Sequence, residues 1–82
     1  MRQKIEQQQH ERAHKLARLQ VEIARVSVLL EQTRQRVELA TRYVVENPTS
    51  LEAGGALANA NSMMNSYRRR LAELREEYDA TV

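Results

Sequence analysis

Pro48, Gly54 and Gly55 are the chain's only proline and glycines, and all three fall in one window of eight residues. Proline and glycine are the strongest local interruptions of regular backbone, so the chain divides there and only there. Residues 1–46 are rich in Gln, Glu, Arg, Leu and Val, and Ala56 to Val82 has the same quality; both stretches consist mainly of good helix formers. Pro48 has no N–H and biases Asn47 away from helical geometry, which predicts a first helix over about 3–46. Thr49-Ser50-Leu51-Glu52 fits a capping box, with Thr49 accepting from the Glu52 amide and the Glu52 carboxylate reaching back. The turn is therefore placed at about 47–50 and a second helix at about 51–80. Gly54 and Gly55 each cost about 1 kcal/mol relative to Ala inside a helix, which leaves a frayed first turn, or a loop lasting to Gly55, as the alternative.

The apolar spacing gives each helix a seam. Leu16, Leu19, Ile23, Val26, Leu30, Thr33, Val37, Ala40 and Val44 advance by alternating steps of three and four, the signature of a heptad stripe. Ala53, Leu57, Ala60, Met64, Tyr67, Leu71, Leu74, Tyr78 and Thr81 advance in the same way. Both seams run for 28 residue steps, roughly 42 Å of helix. A short turn makes the helices antiparallel, and folding about the bond between Pro48 and Thr49 pairs residues whose numbers sum to 97. Val44 then meets Ala53, Val26 meets Leu71, Ile23 meets Leu74 and Leu19 meets Tyr78. Lys15 comes within reach of Glu77 and Glu22 of Arg70, while Arg34 and Arg68 become like-charged neighbours. The fold expected is all-α: an antiparallel two-helix coiled-coil hairpin, completed into a helical bundle by dimerisation or by a partner.

That completion is expected because 82 residues make a marginal core, and two helices cover only one stripe each. The same ground argues against a self-sufficient enzyme with a walled cleft. The first helix also carries a second apolar stripe, Ala17, Val21, Ala24 and Val28, with Leu29 between it and the seam; Leu39 and Val45 add apolar surface elsewhere. A helix apolar on more than one side is normally buried on more than one side. Residues 1–15 extend past the point where the second helix ends, a polar arm without a mate. The arm is basic and residues 73–79 beside it are acidic, so each helix end is charged against its own dipole and the neighbour compensates.

Two motifs look like chemistry. His10-Glu11-Arg12-Ala13-His14 matches the zinc-protease pattern H-E-x-x-H on a helix, but Ala17 and Gln20 stand where the extended motif has Gly and a third His. Arg68-Arg69-Arg70 is the only basic run, and three successive helical residues point in three directions, a weak phosphate grip. No cysteine is present, so there is no disulfide framework or thiolate metal site. No apolar run approaches the roughly 18 residues of a membrane span, and Met1 to His14 is polar rather than signal-like, which predicts a cytoplasmic protein.

Asn47-Pro48-Thr49 at the turn, and Ala56-Leu57-Ala58-Asn59 followed by Met64 and Tyr67, resemble the turn and second helix of type III secretion needle subunits. Those subunits and the short co-chaperones that hold them are helical hairpins of similar length. The resemblance covers residues 44–67 and implies an assembly or chaperone role. The chain departs from the needle pattern in its missing second turn proline and in Gly54-Gly55.

The expected function is thus a non-enzymatic protein–protein interaction module, an adaptor, co-chaperone or assembly subunit. It needs no catalytic residue, metal or cofactor and binds a protein partner or a second copy through Ala17, Val21, Ala24, Val28 and Leu29. The alternative is a small nucleic-acid-binding hairpin using Arg68 to Arg70 and the basic N-terminal tip.

Overall fold

The computed structural model describes residues 2–82. Helix α1 spans Arg2–Glu46 and helix α2 spans Leu51–Thr81, 45 and 31 residues long, and the two pack side by side as an antiparallel hairpin. The molecule measures 69 × 14 × 14 Å, so its long axis is the length of α1. Its radius of gyration, 19.4 Å, compares with about 12 Å for a compact domain of this size; the described residues form a rod whose core is the strip between the two helices.

The turn is built on its proline. The Asn47 N–H donates to the Tyr43 carbonyl at 2.9 Å and its side-chain amide donates to the same oxygen at 3.1 Å, closing the end of α1. The Ser50 N–H then donates to the Asn47 carbonyl at 3.1 Å, a β-turn with Pro48 at its second position, where a fixed φ is an advantage. Thr49 is the third residue of that turn and so cannot cap α2. The cap is Ser50, in extended backbone (φ −79°, ψ 117°), whose Oγ accepts the Ala53 N–H at 3.2 Å. The capping box expected at Thr49 is therefore displaced by one residue, and Glu52 serves instead as the acidic group of the first turn. Gly54 and Gly55 lie inside α2, neither at positive φ, so the loop alternative does not occur.

All eighteen seam positions are buried or half-buried. The core concentrates away from the turn: Leu19, Val26, Leu71 and Leu74 are buried there, with Ile23, Leu30, Tyr67 and Tyr78 packed around them. These eight are the residues of four consecutive layers in the register that sums to 97. The seam's one polar member in α1, Thr33, is 3% exposed; its hydroxyl donates to the Leu29 carbonyl at 2.7 Å, so burial leaves nothing unsatisfied.

Polar contacts fix the same register. Lys15 pairs with Glu77 at 3.5 Å, Glu22 with Arg70 at 3.6 Å, and the Gln20 amide donates to the Tyr78 hydroxyl at 3.2 Å. The charged side chains are each close to half exposed, so a pair contributes at most about 1 kcal/mol. They select an alignment more than they hold the helices together. Residues 3–14 of α1 are exposed throughout.

Candidate interaction surface on helix α1

Successive helical residues are about 100° apart, so the stripe Ala17, Val21, Ala24, Val28 lies roughly 150° around α1 from the seam that faces α2. The seam advances from Leu16 by steps of three, four and three; the stripe advances from Ala17 by four, three and four, so it runs one and two residues ahead of the seam by turns, and that average offset of about one and a half residues carries it to the far side of the cylinder. Its members are exposed: Val21 is 70% and Val28 57% accessible, and Ala17 and Ala24 lie open between them. Leu29 is half-buried, lying between stripe and seam.

An open trough of about 480 Å³ runs along this face, with Ala17 and Val21 as its floor and His14, Arg18, Glu22 and Arg25 around it. Every lining residue belongs to α1, at the spacing of one helix face, so the trough has no opposing wall. A small molecule would be left uncovered on one side.

The other chemistry-bearing motifs remain separate. Among the described residues no three His, Asp or Glu side chains gather in a metal-binding group, so His10 and His14 acquire no third ligand from the fold. The Arg68 to Arg70 run does not act as one unit: Arg70 is held by Glu22 and by Glu73, each at 3.6 Å. Arg68 instead joins Arg34 and Arg75 on the lining of a shallow groove of about 240 Å³ between the helices, with Glu31 on the same wall. None of these three arginines forms an ion pair among the described residues, and neither does Glu31. Among the described residues no helix is long and apolar enough to cross a membrane.

Four exposed hydrophobic residues escaped the sequence reading, Ile5 and Val82 towards the chain ends and two beside the turn. Leu51 is 93% and Tyr43 43% accessible, close to Val45 and Leu39 along the chain at the turn end. The signal was available, since both lie off the heptad register: Tyr43 directly precedes Val44, and Leu51 comes two residues before Ala53.

The chain matches no protein-family model, no curated protein and no solved structure.

Proposed function

We propose that this protein is a non-enzymatic protein–protein interaction module that binds through the outer face of α1. One observation carries the reading: two valines, Val21 and Val28, stand largely exposed on a continuous apolar stripe opposite the hairpin seam. Scattered surface valines need no explanation, but four apolar residues in heptad register form a helix-docking seam. The trough over Ala17 and Val21 supports the same reading, because its floor is apolar and its polar groups, including Arg18 and Arg25 with no ion pair among the described residues, stand around the rim. The likeness of residues 44–67 to secretion needle subunits supports an assembly or chaperone role within this class.

The test is the double substitution Val21→Glu with Val28→Glu. Both side chains point away from α2, so far-UV circular dichroism is expected to keep its helical signal. Proteins co-purifying with the wild-type chain from its source, further copies of the chain included, are expected to be lost. Undiminished recovery by the double variant would overturn the reading.

A second reading, a nucleic-acid-binding hairpin in the cytoplasm, draws on the convergence of Arg34, Arg68 and Arg75 on one groove. It predicts a mobility shift with single- or double-stranded nucleic acid that weakens steeply as salt rises. No shift at low salt removes it.

A further inference from the structure

We infer that the partner of this face is a second copy of the same chain, packed antiparallel so that facing residues of the two α1 helices have numbers summing to 45. The inference rests on the outer face of α1 being an interaction surface, and it specifies what covers it.

The stripe is complementary to itself when reversed, and only then. In that register Ala17 faces Val28 of the second copy and Val21 faces its Ala24, so the two-fold axis generates four layers, each joining one alanine to one valine. Small against large in every layer keeps the interhelical distance constant, the condition for straight ridges-into-grooves packing. A parallel pair would set valine on valine and alanine on alanine, with alternately wide and narrow layers. Charge makes the same choice. The next position beyond each end of the apolar layers sets His14 against Glu31 of the other copy, a hydrogen-bonding pair; the parallel arrangement would set Glu31 on Glu31. Glu31 is free to take this role, having no ion pair among the described residues.

The register also supplies a mate for the arm. Its axis passes between Glu22 and Ile23, close to the middle of α1, so the two copies of α1 overlap along nearly their full length. The exposed residues 3–14 of one copy then lie against residues 31–42 of the other, with His10 opposite Gln35 and Gln7 opposite Glu38. None of these outer layers brings two like charges together. The rim has one mismatch, Arg18 beside Arg25 of the second copy, between exposed side chains where salt screens the repulsion. Because stripe and seam are on opposite sides of α1, the assembly is layered, α2–α1–α1–α2, with the two α1 helices inside; it is not a square four-helix bundle.

The experiment combines mass with cross-linking, and the cysteine-free sequence makes the second part clean. Multi-angle light scattering of the full chain is expected to give about twice 9.5 kDa, and Val21→Glu with Val28→Glu to return it to one chain mass. The double variant Ala17→Cys with Val28→Cys is expected to form a covalent dimer on oxidation. The two positions are eleven residues apart, roughly 16 Å along one helix, too far for a disulfide within a chain. Each single variant alone is expected not to cross-link, while an equimolar mixture of the two forms the covalent heterodimer. A monomeric mass at all concentrations overturns the inference, and loss of co-purifying proteins in the glutamate variant would then still leave the interaction reading standing with a different partner. Single variants that cross-link to themselves show a parallel pair and overturn it. A dimer in which the double variant does not cross-link has another register and overturns it too.

Discussion

Away from the turn, four large aliphatic side chains are buried and two tyrosines, an isoleucine and a leucine close over them. Beside the turn, the buried side chains are two alanines, Ala53 at 0% and Ala60 at 7% exposure, while Leu57, Val44 and Val37 remain only half-buried. The same heptad seam thus closes in two ways. At the far end the interface is made of side-chain volume, and its stability comes from apolar area removed from water. At the turn end a methyl group is sealed only if the facing backbone comes close, and a four-residue connection brings it there. The far end has to provide most of the free energy; the turn end provides alignment.

The comparison breaks most directly at Leu74, the one large side chain that is fully buried. Leu74→Ala is expected to cost about 2–5 kcal/mol, a large share of the stability of a domain of this size. Leu57→Ala, on the same helix and seam but half-exposed, is expected to cost well under half as much. Chemical denaturation followed by circular dichroism, at one fixed chain concentration so that association does not shift the midpoint, measures both. Equal losses would mean that the two ends share the load.

A substitution in the opposite direction tests the turn end. Ala53 has no free surface, so Ala53→Leu is expected to push the helices apart beside the turn and cost about 1–3 kcal/mol by overpacking. The same change at Ala17, on the face of α1 turned away from α2, is expected to leave the hairpin itself within about 0.5 kcal/mol of wild type when measured at a chain concentration low enough to keep it monomeric.

The two ends also differed in how much of them the sequence disclosed. The far end was legible because periodicity, volume and charge all point to one register: Leu19, Val26, Leu71 and Leu74 share a heptad frame, and the Lys15–Glu77 and Glu22–Arg70 pairs lie beside it. The turn was legible only as a break. Thr49 and Ser50 are both good capping residues, and choosing between them requires knowing that the Asn47 carbonyl accepts from Ser50, which places Thr49 inside the β-turn. That information is geometric and has no counterpart in the spacing. Gly54 and Gly55 argued locally against helix, and tertiary context overrode them: Ala53 and Leu57 on either side are drawn into the seam. The stripe from Ala17 to Val28 was visible from its spacing, and the structure adds that it stands opposite the seam, which spacing alone implies only once the seam is known.

Those glycines give the turn end a correctable weakness. A Cβ placed on Gly54 or Gly55 meets nothing within 4 Å, and neither residue needs positive φ. Gly54→Ala and Gly55→Ala are each expected to add about 0.5–1 kcal/mol, close to additively, since neither new methyl touches the other helix. A gain in the denaturation midpoint with an unchanged slope would show that stability rises without a change in the surface exposed on unfolding. A loss would mean that the first turns of α2 must bend.

The smallest expected effect separates two adjacent hydroxyls. Ser50→Ala removes the acceptor for the Ala53 N–H at the start of α2 and is expected to cost about 1 kcal/mol. Thr49→Ala removes a side chain that caps nothing, and is expected to change stability by a few tenths of a kcal/mol at most. Because the cap lies next to buried Ala53, its loss should be felt as fraying of the alanine-sealed end, with faster amide hydrogen exchange at Leu51 to Ala53 and no change around Leu71 and Leu74. The reverse ranking of the two variants would restore the capping box at Thr49 and move the start of α2 by one residue. Exchange that quickened equally at both ends would show instead that the hairpin opens as a single unit.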